Sequence, residues 1–198
     1  MGFPPRLVLA TRNPGKVREI LEICADWPVE WVTYESASWQ EVEETGQTYL
    51  DNALLKARSV AAALGLPAIA DDSGIEVDAL GHAPGVDSAH FAGRQATDRE
   101  NLQLLIDRVR ATPPDERTAR YRCFAVCAWP EGEDVAAEAV CEGRLILDPR
   151  GTGGFGYDPI FVPDGFQNTM AELEPAQKNE ISHRGKAFRS LRAAIAAL

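Results

Sequence analysis

Two adjacent aspartates, Asp71 and Asp72, stand between two apolar runs, and this arrangement limits the possible folds more than any other stretch. The run at 67–70 predicts a buried strand, and the alternation over 75–80 is typical of a half-buried one. We therefore expect the two carboxylates in a compact acidic turn where the first strand ends. Adjacent strand side chains point to opposite faces, so only one of the two should face any given site.

The same stretch has two chemical interpretations. Two carboxylates at a strand end, beside the hydroxyl of Ser73 and the flexible Gly74, suit a hard metal ion such as Mg²⁺. They also suit a base that takes a proton from water. The alternative is an ordinary turn whose side chains cap backbone groups. The stretch by itself does not decide between these chemical roles and an ordinary turn.

Composition narrows the class of protein. The chain has 198 residues, 45% hydrophobic and 25% charged, which is ordinary for a soluble globular protein. No apolar run approaches the roughly 20 residues of a membrane helix, and the N-terminus is not a signal peptide. We therefore expect a cytoplasmic protein without a membrane partner. The net charge of -10 argues against broad nucleic-acid binding but allows a local pocket for a small anion.

Cysteine and histidine usage makes a zinc site or a disulfide framework an unfavourable interpretation. The four cysteines form no Cys-x-x-Cys pair, and the three histidines lie far apart in sequence. We interpret the cysteines as small hydrophobic core residues.

The N-terminal region predicts an anion site. A short apolar strand leads through residues 11–16 into a helix whose first position suits Pro14. Backbone N–H groups and the positive end of the helix converge there, and Lys16 adds charge. The alternative is plain capping of the helix by Thr11 or Asn13.

The remaining segments predict a mixed α/β fold. A strand over 29–34 precedes a helix that starts at the Thr48 capping box and stops at Gly65. Another helix should follow the capping box at Thr97. The region 118–147 is β-rich and predicts two neighbouring antiparallel strands joined by a turn that ends at Glu133. Strands and helices alternate early and strands dominate later, as in α/β proteins.

A glycine-rich segment at 151–156 matches G-x-G-x-x-G, but we reject a dinucleotide-binding interpretation. That motif requires a following helix, whereas residues 157–161 indicate a strand. The glycines still allow a ligand to approach the backbone closely. Phe155 or Tyr157 could stack on a flat base, worth ~1–3 kcal/mol. The alternative is that both rings are part of the core.

The C-terminal region combines charge with an apolar helix face. Its basic residues cluster just before and at the start of the last helix: Lys178, His183, Arg184 and Lys186. Positive charge at that end opposes the helix dipole, which hints at an anionic ligand. The alternative is a solvated basic turn. The helix itself predicts one apolar face: Phe188, Leu191, Ile195 and Leu198.

Taken together, five stretches resemble the inosine/xanthosine triphosphate pyrophosphatase family. They are Thr11-Arg12-Asn13-Pro14-Gly15-Lys16, Glu43-Glu44-Thr45-Gly46 with Asp51-Asn52-Ala53, Ala70-Asp71-Asp72-Ser73-Gly74, Gly153-Gly154-Phe155-Gly156-Tyr157-Asp158-Pro159-Ile160-Phe161, and Ile181-Ser182-His183-Arg184-Gly185. Each is weak alone, but their common order over nearly the whole chain makes the resemblance specific.

The resemblance implies an α/β fold with an elongated mixed β-sheet flanked by helices. It implies a single domain of two lobes with a central substrate cleft, and a homodimer. The implied activity is Mg²⁺-dependent hydrolysis of non-canonical purine nucleoside triphosphates (ITP, dITP, XTP) to monophosphate and pyrophosphate. Such an enzyme would cleanse the nucleotide pool of deaminated purines.

The resemblance also implies roles for individual residues. Asp72 is similar to the family's proton acceptor and metal ligand, and Glu43 to its second metal carboxylate. At Asp51 the family more often has Glu, so we rank Glu43 above it as a ligand. The phosphates would be held by Thr11, Arg12, Asn13, Pro14, Gly15 and Lys16. The other implied substrate contacts are Ser73, Phe155, Gly156, Tyr157, Asp158, Lys178, His183 and Arg184.

Two other functions stay open at this point. One is a pyrophosphatase that acts on modified pyrimidines or ordinary nucleotides. The other is a nucleotide-binding regulatory module without turnover. The carboxylates of Asp72 and Glu43 argue against the regulatory module, because they contribute nothing to the binding of an anion.

Overall fold

A computed structural model describes residues 2–132 and 134–198. Within them, one six-stranded sheet has the order β2-β1-β3-β4-β5-β6. The strands are β1 (Arg6–Leu9), β2 (Glu30–Val32), β3 (Ala68–Val77), β4 (Thr118–Ala128), β5 (Asp134–Leu145) and β6 (Phe161–Pro163). The α-helices are α1 (Pro14–Ile23), α2 (Tyr49–Leu64), α3 (Asp98–Val109), α4 (Pro175–Ile181) and α5 (His183–Ala196). Short 3₁₀ turns occupy Asp78–Leu80, Gly85–His90, Pro114–Glu116, Asp158–Ile160 and Met170–Glu172.

The sheet contains both strand orientations, which confirms the predicted mixed α/β fold. β1 runs parallel to β2, with Val8 opposite Val32, and parallel to β3, with Val8 opposite Ala68. β5 and β6 are antiparallel, with Arg144 opposite Val162. The elongated shape, the cleft and the single two-lobed domain stay predictions. The predicted turn before β5 includes Glu133, which lies outside the described residues, as does Met1 of the N-terminal segment.

Strand β3 corrects the predicted acidic turn. It continues without interruption from Ala68 to Val77, so Asp71 and Asp72 lie in the middle of a strand and not at its end. The prediction was wrong because it relied on Asp, Ser and Gly as local turn signals. Both are buried here, and basic side chains from the helices contact them directly.

Local sequence signals place the helix ends as predicted. Pro14 begins α1, and of the two candidate caps it is Asn13 that accepts the Lys16 backbone N–H. Thr48 caps α2, and Gly65 ends it at a φ of 62°, where an L side chain would be strained. The predicted capping box at Thr97 opens α3 with both of its hydrogen bonds present.

The described chain divides into two compact units. The first comprises the described residues up to Asp72 together with 123–139 and 184–198. The second comprises 73–122 and 140–183. In the second unit, the last residues of β3 pack with α3 and the segment around β6, and the core includes Ile75, Val77, Leu105, Tyr157 and Phe161.

In the first unit, the two faces of the parallel strands pack against different helices. Leu9 of β1 belongs to a cluster with residues of α1 and α5, such as Ile20 and Phe188. Val8 points to the other face and belongs to a cluster with α2 residues such as Ala57. Because strand side chains alternate, α1 and α5 cover one face of β1 and β3, and α2 covers the other.

The last helix is shorter than predicted, and Leu198 is not part of its buried face. Phe188, Leu191 and Ile195 are fully buried, whereas Leu198 is 46% exposed. The helix ends at Ala196, so the 3.6-residue period no longer carries Leu198 to the core side.

No helix in the described part of the chain is both long and apolar enough to span a membrane.

A pair of leucine truncations tests this assignment. Leu191→Ala should lower the free energy of unfolding by about 2–5 kcal/mol, because it removes a fully buried side chain and leaves a cavity. Leu198→Ala should change it by less than about 0.5 kcal/mol, as is usual at exposed positions. Urea unfolding at fixed pH measures both, and equal losses would contradict the assigned end of the helix.

Candidate active site

The alternation of side chains along β3 separates the two aspartates. Ile69 points to the face covered by α1 and α5, and Asp71, two residues later, points the same way. Ala70 points to the face covered by α2, and Asp72 follows it. The two carboxylates therefore have different partners, as the strand period predicted.

Asp71 is the centre of a buried ionic cluster. Its Oδ2 atom lies 3.2 Å from Nζ of Lys16 in α1 and 3.2 Å from Nη2 of Arg184 in α5. Nη1 of Arg184 donates to Oε2 of Glu19 at 2.6 Å. The thiol sulfur of Cys123 lies 4.0 Å from the same Asp71 oxygen. Helices α1 and α5 are thus joined to β3 through one carboxylate.

The cluster keeps Asp71 ionised. Burial by itself would raise the pKa of Asp71, but Lys16, Arg184 and Lys56 together hold that pKa well below its usual range. Burial likewise acts to lower the pKa of Arg184, and the charges of Asp71 and Glu19 more than offset it, so the pKa is raised. Both charged forms are therefore favoured inside the protein.

The start of α1 shows the capping that the sequence offered as the alternative, and the anion site there stays a prediction. Asn13 accepts the Lys16 backbone N–H at 3.1 Å, and Thr11 Oγ1 accepts the N–H of Asn13 at 3.2 Å. Lys16 Nζ also donates to the backbone carbonyl of Asp71 at 3.5 Å. The guanidinium of Arg12 donates to the backbone carbonyl of Trp39 and lies 5.9 Å from the centre of that ring.

Asp72 is held by a polar face of α2. Lys56 Nζ lies 2.9 Å from Asp72 Oδ1, and Asn52 Nδ2 lies 3.4 Å from Asp72 Oδ2. The same Lys56 ammonium contacts Glu44 Oε1 at 2.8 Å. Burial raises the pKa of Asp72 and nearby Glu44 adds to the rise, although Lys56 and Lys16 oppose it. A carboxyl group with a raised pKa is a better proton acceptor than an ordinary aspartate.

The donor set around Asp72 fits a magnesium ion that also binds phosphate. Lys56 Nζ places a cation between oxygens of Asp72 and Glu44, so this position already favours positive charge. Mg²⁺ commonly takes only one or two protein carboxylates and completes its shell with water and substrate phosphates. Residues 2–132 and 134–198 contain no group of three or more His, Cys, Asp or Glu side chains arranged for a metal.

Glu43, the residue predicted as the second metal carboxylate, is exposed. Its neighbour Glu44 is also exposed and lies within hydrogen-bond distance of Lys56. Asp51, ranked lower as a ligand, accepts a hydrogen bond from Thr48 Oγ1 at 2.7 Å and serves the start of α2. The metal role of Glu43 stays a prediction.

The second unit contains a separate cluster around Asp158. Lys178 Nζ lies 2.5 Å from Asp158 Oδ2, and both side chains are buried. The same oxygen accepts the backbone N–H of Phe155 at 3.0 Å. The Lys178 ammonium lies 5.5 Å from the centre of the Phe155 ring, within the range of a cation–π contact. One carboxylate therefore shapes the glycine-rich loop and holds the lysine against its aromatic ring.

The other predicted substrate contacts in the second unit differ in exposure. Tyr157 is buried in the core, and its hydroxyl donates to the Ser88 carbonyl at 2.7 Å. The His183 ring is buried and stacks on Tyr121 with 4.6 Å between centroids. Ser73 is half-buried. Lys178 and His183, like Arg184 of the first unit, are buried, so the alternative of a solvated basic turn is wrong for these three.

The sequence also matches the profile of a known protein family. The sequence profile of the Ham1 family matches residues 7–194, almost the full chain. The chain belongs to the Ham1 family. This confirms the resemblance drawn from the five sequence stretches. The match covers both units of the fold, so Asp71, Asp72, Asp158 and their partners all lie within it.

Curated relatives and solved structures agree with this assignment. The chain is 46% identical over 194 residues to a protein of Vibrio parahaemolyticus and 49% over 189 residues to one of Streptomyces coelicolor, each named dITP/XTP pyrophosphatase. These alignments cover 97% and 94%, respectively, of both chains. Among solved structures, a HAM1 protein from Coxiella burnetii has a TM-score of 0.88 at 38% identity, covering 98% of this chain and 100% of that one. The fold is therefore that of the Ham1 proteins.

Three polar residues of α2 and the preceding loop were not predicted to lie at the site of this Ham1 protein. Asn52 and Lys56 contact Asp72, and Glu44 contacts Lys56. A signal for two of them does exist in the sequence. Asn52 and Lys56 are four residues apart, so they share one face of the helix beside its apolar stripe. Their common target, however, is 16 and 20 residues away along the chain.

Neutralising Asp71 should destabilise the fold. Asp71→Asn should lower the free energy of unfolding at pH 7 by about 3–5 kcal/mol, because Arg184 loses a buried negative partner. Asp26→Asn, in an exposed pair with Arg192, is the matched control and should lose less than about 1 kcal/mol. Urea unfolding of both variants tests this, and equal losses would contradict the role of Asp71.

The same variant should change the acid limb of stability. The pKa of Asp71 is lower in the folded protein than the value of about 3.9 in an unfolded chain. The unfolded state therefore binds more protons, and the contribution of Asp71 is present above that value and is lost as the pH falls below it. Asp71→Asn should unfold with a flatter pH dependence in this acid window, and an unchanged slope would contradict the assignment.

Two glycines of the loop provide a paired test of the Asp158 cluster. A Cβ at Gly154 (φ 68°) would overlap the Asp158 carboxylate, whereas at Gly156 (φ 59°) it would meet open space. Both alanine variants lose about 1–2 kcal/mol from the left-handed backbone, and Gly154→Ala should lose about 1–3 kcal/mol more from overpacking. Thermal unfolding checks the difference, and similar losses would contradict the packing described.

Proposed function

We propose that this Ham1 protein is a nucleoside triphosphate pyrophosphatase that acts on non-canonical purine nucleoside triphosphates, with dITP and XTP as the first candidates. One geometric observation supports this most. Lys16, at the N-terminus of α1, contacts the backbone carbonyl and the carboxylate of Asp71, the residue bonded to Asp72. The Lys16 ammonium thus reaches the backbone beside Asp72, whose own side chain lies on the opposite face of β3, and the charge of Lys16 opposes the rise in the pKa of Asp72. The names of the relatives supply the substrate class.

In the proposed reaction, residues 11–16 bind the triphosphate. The positive end of α1 and the Lys16 ammonium favour a phosphate group there. The Asp71 carboxylate contacts the Lys16 ammonium group and holds it in position. Phosphoryl transfer depends mainly on such positioning and charge neutralisation, so these contacts account for much of what the protein must supply.

Asp72 and one carboxylate of the loop before α2, Glu43 or Glu44, would hold Mg²⁺. When bound, the ion would neutralise charge on the phosphate oxygens and favour ionisation of a water molecule. Lys56 already links Glu44 to Asp72, so this loop has a cationic connection to the strand.

Asp72 would act as the base. Its carboxylate accepts a proton from a water molecule while the water oxygen forms a bond to the α-phosphorus. The bond from that phosphorus to the oxygen bridging to the β-phosphate breaks, and its electron pair leaves with pyrophosphate. Lys16 and the α1 N-terminus then stabilise the charge on the leaving group. The products are a nucleoside monophosphate and pyrophosphate.

The nucleoside would be recognised by residues of the glycine-rich loop, of α4 and of the start of α5. We assign Phe155, Gly156, Asp158, Lys178 and His183 to this role, with Ser73 as a further contact. Tyr157 would contribute through its backbone, because its ring is buried in the core. Arg184 would combine its predicted nucleoside contact with the ion pair to Asp71.

Base selection follows from hydrogen-bond chemistry. Hypoxanthine and xanthine present an acceptor oxygen at C6, where adenine presents a donor amine. Donors aimed at that oxygen would be left unsatisfied by adenine, and mismatches of this kind can reject an analogue by ~10⁴–10⁵-fold.

We further propose a cytoplasmic homodimer that needs no nucleic-acid partner.

A substrate panel with one substitution tests the proposal. Purified protein with Mg²⁺ should release pyrophosphate from dITP, ITP and XTP much faster than from ATP, whose base lacks the acceptor oxygen at C6. Asp72→Asn should lower this turnover by at least about 10²-fold, the usual range for a general base, while nucleotide binding by calorimetry persists. Asp78→Asn makes the same chemical change just beyond β3 and should retain turnover.

Each alternative predicts a different result. Equal rates on all nucleotides, or a preference for modified pyrimidines, would replace the proposed specificity. Tight binding of dITP without any pyrophosphate release would favour a regulatory nucleotide-binding module. Near-normal turnover by Asp72→Asn would remove Asp72 from the role of base.

A further inference from the structure

Asn52 is a buried side chain that connects two parts of the candidate site. It lies in the first turn of α2 and is only 3% exposed. Its Oδ1 atom accepts the backbone N–H of Gly46 at 2.8 Å, and its Nδ2 lies 3.4 Å from Asp72 Oδ2. The amide thus bridges the acidic loop before α2 and the central strand.

The two contacts fix the orientation of the amide. A backbone N–H can only donate, so the atom that faces Gly46 must be the amide oxygen. The amide nitrogen then faces Asp72, whose ionised carboxylate can only accept. No other residue of this size presents one acceptor and one donor in this geometry, so the site requires asparagine and not merely a polar side chain.

Gly46 leaves no space for a different arrangement. A Cβ atom at this position would lie 2.6 Å from Asn52 Oδ1 and 2.6 Å from the Cβ of Asp51. The loop backbone therefore lies directly on the start of α2. Glu43 and Glu44 precede this contact by three and two residues, so it limits where both carboxylates can be.

Lys56 repeats the connection one helical turn later. Its ammonium contacts Glu44 Oε1 at 2.8 Å and Asp72 Oδ1 at 2.9 Å. Residues four apart share a helix face, so Asn52 and Lys56 each contact one carboxyl oxygen of Asp72. The same two side chains also contact the acidic loop, at Gly46 and at Glu44. Asn52 forms the uncharged and more deeply buried connection.

We propose that Asn52 is a positioning residue that holds the loop carboxylates and Asp72 at the separation needed to bind a divalent cation together. The inference rests on the proposed function and adds a residue to it. Asn52 does not contact substrate; it acts through the Gly46 backbone and through Asp72. Loss of its amide should weaken cation binding, whereas loss of an equally buried amide elsewhere should not.

Asn101 provides the matched control in the second unit. It is 2% exposed, its Oδ1 accepts the Ala92 backbone N–H at 2.8 Å, and its Nδ2 donates to the Ala89 carbonyl at 3.0 Å. Both asparagines lie in the first turns of helices and bridge to a preceding loop. Asn101→Ala should therefore cause a comparable loss of stability without touching the two carboxylates.

The first measurement does not depend on turnover. Amide hydrogen exchange at Gly46 should accelerate in Asn52→Ala, because the N–H loses its acceptor, and stay unchanged in Asn101→Ala. Binding of Mn²⁺ in the presence of pyrophosphate, followed by electron paramagnetic resonance, should weaken by about 10–100-fold in Asn52→Ala, as is typical when a residue that orients a metal ligand is removed.

A second variant separates the two contacts of the amide. Asn52→Asp keeps an oxygen toward Gly46 but replaces the donor to Asp72 with a carboxylate. The Gly46 amide should stay protected, while turnover of dITP at saturating substrate should fall and should not be restored by raising the Mg²⁺ concentration. In Asn52→Ala, the half-saturating Mg²⁺ concentration should rise by about 10–100-fold with little change in KM for dITP.

The outcomes distinguish this inference from the proposed function. A wild-type protein that releases no pyrophosphate from dITP would end the proposed function, while exchange and Mn²⁺ binding would still test Asn52. Unchanged exchange at Gly46 in Asn52→Ala would overturn the inference. Faster exchange with unaltered Mn²⁺ and Mg²⁺ dependence would also overturn it, because Asn52 would then be only a structural anchor like Asn101.

Discussion

The structure depends on the burial of two negative charges in the middle of one strand. Removing a carboxylate from water is costly unless a cation and hydrogen bonds replace the solvent. Here Lys16 and Arg184 satisfy Asp71 on one face of β3, and Lys56 with Asn52 satisfies Asp72 on the other. Helices α1, α5 and α2 are consequently bound to the strand by charge as well as by apolar contact.

The same constraint gives the two neighbouring carboxyl groups different chemistry. Three cations hold the pKa of Asp71 below its usual range, whereas burial and Glu44 raise the pKa of Asp72. Environments that move the pKa values of adjacent acids apart are a common way to divide structural and catalytic work. Asp71 is suited to hold Lys16 and Arg184 in place, and Asp72 is suited to exchange a proton.

The sequence predicts those features that are encoded locally. The caps at Asn13, Thr48 and Thr97 and the stop at Gly65 were predictable because each depends on residues within one helical turn. The motif resemblance likewise identified the family. The continuous acidic strand was not predictable, because the cations that permit it come from positions 16, 56 and 184. The contact of Asn52 with Asp72 depends in the same way on the packing of α2 against β3, 20 residues further along the chain.

The thiol sulfur of Cys123 lies 4.0 Å from Oδ2 of Asp71. Burial, reinforced by the charge of Asp71, raises the pKa of Cys123, so the sulfur stays protonated and unreactive while the cluster is closed. Cys123 is fully buried in the apolar cluster that packs α1 and α5 on the sheet, so solvent reaches its sulfur only when that packing opens. Cys123 is therefore an intrinsic reporter: its rate of alkylation would record how often the charged centre of the molecule opens, without any label having to be introduced.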